Sequence, residues 1–334
     1  MRGRAQQEDA NFPFMRTAFL LAPMLILSGA ALAIACGSSS PDSGFGSSGS
    51  SGTSGTSGAS GQSSGASSSF GGTSGTSGGM DAAAQDECKK MDIVFVVDNS
   101  GSMAQEQTNL KDNFPAFIKV INEYKTKSGK ELDYRVATTT SDDAKEKGAF
   151  TKTAGKGAAG GCNPGPARAW LERTDGDVAG FFGCRAPGGT SGTSIERVLE
   201  SGLLGVNDRV KDGTNGAFVR EDALLAMVYI TDEDEGGTEN QPKRPVADYP
   251  ALYDAVKGGE RGKWAAAVIA GEKECSSPGL GNAAEAKRMK EFVTAVGKNG
   301  VFSSICVGNL TEGLTKALQT FDQACKDFPA GPVK

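Results

Sequence analysis

Apolar residues gather in five short, nearly continuous runs separated by longer stretches of mixed polarity. The runs span residues 91–98, 132–139, 224–231, 263–270 and 300–307. A strand with one wet face alternates apolar and polar residues, whereas a nearly continuous apolar run has both faces covered. The pattern therefore predicts five buried strands of a mostly parallel sheet.

Helical periodicity fills several of the stretches between these runs. Apolar residues recur at three- and four-residue spacing over 110–124, 289–296 and 310–321. Because strands and helices alternate, the predicted fold class is α/β: a doubly wound, mostly parallel, Rossmann-like sheet with helices on both faces. Pro115 predicts a kink or short break in the first helix, with Asn113 capping the restart. Gly297 is predicted to end the second of these helices.

The N-terminal segment has the layout of an export signal. An apolar run over 18–35 ends in Ala33-Ile34-Ala35-Cys36, and small residues directly before a cysteine resemble the lipobox of bacterial lipoproteins. We interpret residues 1–36 as a signal peptide, with Met15 as a possible true start and Cys36 as the lipidated residue. Two alternatives stay open: ordinary cleavage after Ala35, and an uncleaved membrane helix.

The rest of the chain divides into a linker and one folded domain. Residues 37–80 are almost wholly Gly, Ser and Thr, so they cannot bury apolar surface and are predicted to be a disordered linker. Residues 81–334 hold all the periodic sequence and are predicted to form one domain with an insertion at about 141–189. Gly37, after the lipidated cysteine, lacks the inner-membrane retention Asp of some bacteria, which favours the outer membrane or cell surface.

Composition excludes several functions. The chain of 334 residues has 35 Lys and Arg against 40 Asp and Glu, and the net charge of -5 with no basic block argues against a nucleic-acid partner. It contains no His, which removes Ser-His and Cys-His nucleophile pairs and His-ligated metals. We therefore expect a protein that is not an enzyme.

Six of the seven cysteines lie in the domain, an even number that suits disulfides in an exported protein. Fifteen pairings of six cysteines are possible in principle. We predict Cys162 with Cys184, Cys275 with Cys306, and Cys88 with Cys325. The alternative is six buried free thiols.

The first apolar run ends in Asp98-Asn99-Ser100-Gly101-Ser102, which places a carboxylate and two hydroxyls on a tight turn. Such hard oxygen ligands at alternate positions suit Mg²⁺ or Mn²⁺, and Ca²⁺ less well. The alternative is an Asp that caps the next helix, with the serines as turn formers. This DxSxS sequence resembles the metal-ion-dependent adhesion site (MIDAS) of von Willebrand factor type A (vWA) domains.

The vWA pattern also includes a Thr from a second loop and an Asp from a third. Asp232 follows the 224–231 run, as the last site Asp of the family does. Thr193 precedes a helical pattern and matches the site Thr, with Thr190 as the runner-up. The heptapeptide GGTSGTS occurs both at 188–194 and in the linker at 71–77, so position rather than local sequence favours Thr193.

The resemblance implies that Asp98, Ser100, Ser102, Thr193 and Asp232 hold a divalent cation, directly or through water. A cation with mostly neutral hydroxyl ligands keeps an open position for an acidic side chain of a protein partner. The implied function is cation-dependent protein binding or adhesion by a membrane-anchored lipoprotein. Two alternatives are a scaffold lipoprotein with a non-functional metal site and a carboxylate-based, metal-dependent hydrolase.

Two segments follow Asp232 directly along the chain. Glu233, Asp234 and Glu235 are expected to form a solvated acidic loop. The segment 236–249 is expected to be an exposed loop near the rim of the site.

Overall fold

All five apolar runs form strands of one six-stranded sheet in the computed structural model. The sheet also includes one short strand that the hydrophobic pattern did not locate, and a two-stranded hairpin lies apart from it. The strands are β1 (Lys90–Val97), β2 (Asp133–Thr140), β3 (Leu171–Glu172), β4 (Leu224–Ile230), β5 (Trp264–Ala270), β6 (Cys275–Ser276), β7 (Asn282–Ala283) and β8 (Gly300–Ser304). The structure describes residues 88–126, 128–237, 240–276 and 281–329.

The strand order in the sheet is β3-β2-β1-β4-β5-β8, and the hairpin pairs β6 with β7. Every pairing in the larger sheet is parallel except that of β3 with β2. The direction in which strands are added reverses at β1, because β2 lies on one side of it and β4 on the other. In open α/β sheets this switch point opens a crevice at the carboxyl ends of the strands.

Helices cover both faces of the sheet, as the alternating pattern predicted. They are α1 (Ala104–Glu123), α2 (Val178–Arg185), α3 (Val198–Val206), α4 (Asp208–Lys211), α5 (Tyr249–Val256), α6 (Lys287–Val296) and α7 (Thr311–Lys326). Successive β1 residues point to opposite sides, so Phe95 enters the core under α1, α2 and α7. Val94 and Val96 enter the core under α3, α5 and α6. The prediction of a mostly parallel α/β sheet is confirmed.

The first helix differs from its prediction, because α1 runs without a break through Pro115. Because proline has no N–H group, the Lys111 carbonyl oxygen lacks its usual helical partner at Pro115. Both residues lie on the exposed face of α1, where water can donate to this oxygen. Asn113 caps no restart; its amide donates to the Asn109 carbonyl oxygen at 2.8 Å. Gly297 ends α6 with a φ of 78°, as predicted.

The three predicted disulfides are all present. Their Cα–Cα distances are 4.9 Å for Cys88–Cys325, 5.7 Å for Cys162–Cys184 and 6.0 Å for Cys275–Cys306. The first bond joins the segment before β1 to the end of α7 and so fastens together the two ends of the described domain. Three disulfides are typical of a chain that folds in an oxidising compartment.

The segment 141–189, expected to be irregular, contributes two regular elements. Its β3 is the antiparallel edge strand that the sequence allowed but did not locate, paired with Arg135 and Val136 of β2. Its α2 was not predicted, although it contributes to the core: the Phe182 ring stacks on Phe114 with centroids 3.5 Å apart. The helix is too short and rich in glycine for its periodicity to stand out.

The predicted signal peptide, Cys36 and the linker lie outside the described residues. Within the described ranges, none of the helices combines the length and apolar character needed to span a bilayer.

Candidate functional site

The two candidate aspartates lie side by side where β1 and β4 end. Asp98 follows Val97 and Asp232 comes two residues after Ile230, and the Asp98 N–H donates to the Ile230 carbonyl oxygen at 2.9 Å. Because β1 and β4 flank the switch point, both carboxylates lie at the crevice where an open α/β sheet binds ligands.

Asp98 is fully buried and held by three hydroxyl and amide donors. Its Oδ1 accepts from the Ser100 N–H at 2.8 Å and the Ser141 hydroxyl at 3.1 Å, and its Oδ2 accepts from the Thr231 hydroxyl at 2.7 Å. Burial raises the pKa of Asp98, while these hydrogen bonds oppose the rise. The Ser100 side chain also hydrogen-bonds with this carboxylate.

Ser100, Ser102 and Asp232 form a connected group beside Asp98. The Ser100 and Ser102 hydroxyl oxygens are 3.2 Å apart, and the Ser102 side chain hydrogen-bonds with Asp232. Asp232 is 2% exposed, and its Oδ1 has no hydrogen-bond partner among the described residues. Burial, together with the nearby Asp98 and Glu233 charges, raises the pKa of Asp232 to about 7.

The loop that carries Thr193 packs against the same turn. The Gly192 N–H donates to the Asn99 carbonyl oxygen at 2.8 Å, and a Cβ on Gly192 would lie 2.6 Å from that oxygen, so a larger residue would push the loop away. Thr193 is half-buried, and its hydroxyl accepts from the Ile195 N–H at 3.1 Å. Thr190 is exposed. The structure therefore joins four candidate side chains in one hydrogen-bonded group and brings the Thr193 backbone alongside it.

Gln107 links the two loops and was not singled out in the sequence. Its Nε2 donates to the Asp98 carbonyl oxygen at 2.8 Å and to the Gly189 carbonyl oxygen at 2.9 Å. Its Oε1 accepts from the Gly189 N–H at 3.1 Å. A glutamine one turn into a helix carries no distinctive signal, because its two loop partners are known only from the folded chain.

Two further buried carboxylates near the aspartates were also missed. Burial, with the charges of Asp232 and Asp98, raises the pKa of Glu106 to about 7, and neither of its oxygens has a hydrogen-bond partner in the described part of the chain. Burial, with the Asp98 charge and a hydrogen bond to Glu233, raises the pKa of Glu196 to about 9. Glu106 follows the DxSxS turn by only four residues, which is the one sequence signal that could have identified it.

The expectation of a solvated acidic loop at 233–235 is wrong for two of its three residues. Asp234 accepts from the Arg288 and Met289 N–H groups at 3.0 and 3.1 Å, at the start of α6. Glu235, fully buried, accepts from the Leu199 N–H at 2.9 Å at the start of α3. Both carboxylates satisfy N–H groups that a helix leaves without partners at its first turn. Burial raises the pKa of Glu235 to about 8.

The segment 236–249 is also more ordered than an exposed loop. Arg244 forms two hydrogen bonds to the buried Glu200 carboxylate, at 2.8 and 2.7 Å, and the Tyr249 hydroxyl donates to the same group at 3.0 Å. Val246 is buried. The described part of this segment therefore anchors the rim of the crevice to α3.

An open cleft of about 820 Å³ adjoins Asp232. Its lining includes four carboxylate-bearing residues and one site hydroxyl: Asp232, Glu233, Glu274, Glu285 and Ser102. In the described ranges, no group of three or more Asp, Glu or Cys side chains is placed to hold a metal ion by itself. Hydroxyl oxygens are hard ligands as well, and the candidate set contains two aspartates, two serines and a threonine.

No family model matches the chain, and no curated protein does so either. Solved structures with some similarity include proximal thread matrix protein 1 from the mussel byssus, at 13% identity and a TM-score of 0.38, covering 72% of this chain and 49% of that one. The pilus adhesin SpaC from Lactobacillus rhamnosus GG is 12% identical with a TM-score of 0.36, covering 72% of this chain and 30% of the adhesin. The chain thus spans half or less of these proteins. At these scores the likeness does not define its function.

Proposed function

We propose that this chain is a vWA-like, cation-dependent binding protein, displayed on a cell surface by a lipid on Cys36. Asp98, Ser100, Ser102, Thr193 and Asp232 would hold one Mg²⁺ or Mn²⁺. The cation, when bound, offers a coordination position to an acidic side chain of a protein partner. The chain's own residues orient the ligands and exclude water from beneath them.

The observation that carries this proposal is the unpartnered Oδ1 of Asp232, a buried carboxylate oxygen beside the buried Asp98. A buried carboxylate that has one oxygen without a hydrogen bond and no counter-charge is costly. The charged groups that act on Asp232 are the acidic Asp98 and Glu233. A divalent cation placed among these side chains would supply the missing positive charge, and the neighbouring hydroxyls are suitable hard ligands.

One observation favours the scaffold alternative. Both Asp98 oxygens already accept hydrogen bonds within the protein, so the Asp98 turn holds its shape through protein contacts. Under the cation-binding proposal an Asp98 oxygen would contact the cation directly or through water. The cation-binding proposal requires a cation at Asp98 for partner capture, whereas the scaffold alternative does not.

Calorimetric titration of the chelator-treated, full-length chain with Mg²⁺ tests the proposal. We expect one binding event that Asp98→Ala removes while circular dichroism shows an unchanged fold. The matched control is Asp212→Ala, an exposed aspartate paired with Arg209, which should bind as the wild type does. Unchanged Mg²⁺ binding by Asp98→Ala, or none by the wild type, would contradict the proposal.

Partner binding is tested by capture of surface proteins with immobilised full-length chain, with and without EDTA. We expect a partner that is retained with Mg²⁺, released by EDTA and not retained by Asp98→Ala. Capture that is equal with chelator present supports the scaffold alternative. Hydrolysis of phosphate esters that disappears in Asp98→Asn would instead indicate the hydrolase.

A further inference from the structure

The loop between α2 and α3 carries both candidate threonines, and it contains no helix or strand of its own. It approaches the Asp98 turn through glycines: a Cβ on Gly188 would lie 3.1 Å from the Asn99 Cβ, and one on Gly192 would lie 2.6 Å from the Asn99 carbonyl oxygen. Glycine-rich backbone loses more conformational entropy on ordering than other backbone. Fixing this loop therefore requires specific contacts.

The Gln107 amide provides such contacts. Gln107 is 4% exposed, and both polar atoms of its side chain are used. It binds the Gly189 backbone in two directions, through its N–H group and its carbonyl oxygen, and it also donates to the Asp98 carbonyl oxygen. One amide thus connects the backbone that bears the Asp98 carboxylate to the loop at Gly189, which is 82 residues from Gln107 along the chain.

Further hydrogen bonds hold the start of the loop, just before Gly189. The Gly155 N–H donates to the Cys184 carbonyl oxygen at 2.9 Å, and the Gly157 N–H donates to the Pro187 carbonyl oxygen at 3.0 Å. The Cys162–Cys184 disulfide closes the same segment. The insertion therefore delivers the loop to the site, while Gln107 fixes its position there.

We infer that Gln107 is a positioning residue of the cation site: it holds the Thr193 loop against the Asp98 turn, so that the threonine hydroxyl is in place before the cation binds. Gln107 contacts none of the five candidate side-chain ligands and acts through the backbone alone. The inference rests on the proposed function and explains what the insertion does for it.

A double-mutant cycle on Mg²⁺ affinity tests this inference. Gln107→Leu keeps the side-chain volume but removes all three hydrogen bonds, and we expect about a 10-fold loss of affinity, the scale seen when groups that orient ligands are removed. Thr193→Ala should cost a similar factor. Because Gln107 acts through the threonine, the double variant should bind about as weakly as either single variant, rather than at the product of about 100-fold.

If Gln107 had only a structural role, Gln107→Leu would lower the stability of the fold, and its effect on Mg²⁺ affinity would not depend on the threonine. Denaturant unfolding measured in parallel separates the two effects, and Gln319→Leu, an exposed glutamine of α7, is the matched control that should leave affinity unchanged. Non-additivity with Thr190→Ala instead of Thr193→Ala supports the positioning role and assigns the ligand to Thr190. Additive losses with both threonines, or an unchanged affinity in Gln107→Leu, overturn it.

If Gln107→Leu does not fold, Gln107→Glu replaces it in the cycle, since it keeps the volume and the acceptor for the Gly189 N–H while removing both donated bonds. The same non-additivity is expected.

The outcomes also separate the two proposals. A wild-type chain that binds Mg²⁺ through Asp98 but ignores Gln107 refutes this inference alone, whereas a wild type that binds no Mg²⁺ refutes the proposed function and this inference together.

Discussion

The buried carboxylates make the stability of the cation-free chain depend on pH. The pKa of Asp232 is raised to about 7 from an ordinary 3.8, and that of Glu106 to about 7 from 4.5. A carboxyl with a raised pKa keeps its proton in the folded chain at pH values where the unfolded chain has lost it. The stability that these protonated carboxyls contribute is therefore fully present below about pH 4, and it is lost as pH rises through about 7.

The size of the effect follows from these shifts. Each group lowers the free energy of unfolding by ~1.4 kcal/mol per pH unit between its unfolded and folded pKa values, and by less close to the folded pKa. Asp232 alone therefore lowers it by about 2 kcal/mol between pH 5 and pH 7. Glu106 acts in the same direction. Carboxylates with lowered pKa values, such as Asp212, titrate below this window and do not oppose the change.

Urea unfolding of the full-length chain in EDTA, at intervals from pH 5 to pH 8, measures this dependence. Mg²⁺ at about 100 times its dissociation constant should restore about 2.7 kcal/mol at pH 8. In Asp232→Asn, the free energy of unfolding should depend less steeply on pH, by the contribution of about one titrating proton. In Asp212→Asn this pH dependence should not change. A free energy of unfolding that stays level or rises from pH 5 to pH 7 would mean that these carboxylates ionise normally, and the physical argument for a cation would fail.

Three further predictions concern the fold around the site. Phe182→Ala removes the ring stacked on Phe114 and should lower the free energy of unfolding by about 3–5 kcal/mol; a loss below about 1 kcal/mol would show that α2 is not part of the core. Replacing Cys88 and Cys325 together by Ser removes a disulfide between residues 237 apart in sequence, and the loop-entropy model predicts that the free energy of unfolding falls by about 5 kcal/mol. Thermal unfolding measures this loss, and an unchanged melting temperature would contradict it. Asp234→Ala frees the Arg288 and Met289 N–H groups and should cost about 1–2 kcal/mol in urea unfolding; no loss would mean that α6 needs no cap.

The strands were predictable because each is buried on both faces and so is apolar along its length. Four of the five runs match their strands at both ends to within a residue. The fifth ends early, at Ser304, because Ile305–Val307 turn into a short 3-10 helix that remains apolar. Burial alone therefore does not separate a strand from the turn that follows it.

The candidate site was predictable only in part. Asp98 and Asp232 directly follow apolar runs, so their place at the carboxyl ends of strands could be inferred from the sequence. Gln107 and Glu106 stand in ordinary helical sequence and Glu196 in the loop before α3, and all three reach the site through tertiary contacts. Asp234 and Glu235 were misinterpreted because an acidic run is usually solvated, and only the positions of α6 and α3 show which N–H groups they cap.

The sequence by itself determined the alternation of strands and helices, an even number of domain cysteines suited to disulfides, and the two aspartates at strand ends, whereas the fold decided which cysteines pair. Each of these follows from local composition or from the arithmetic of cysteines. The tertiary structure decided which strands are neighbours, and hence that β1 and β4 bring Asp98 and Asp232 together at the switch point. It also decided that a glycine-rich loop far along the chain lies against that turn, since the hydrogen bonds that hold it involve backbone groups, which leave no pattern in the sequence.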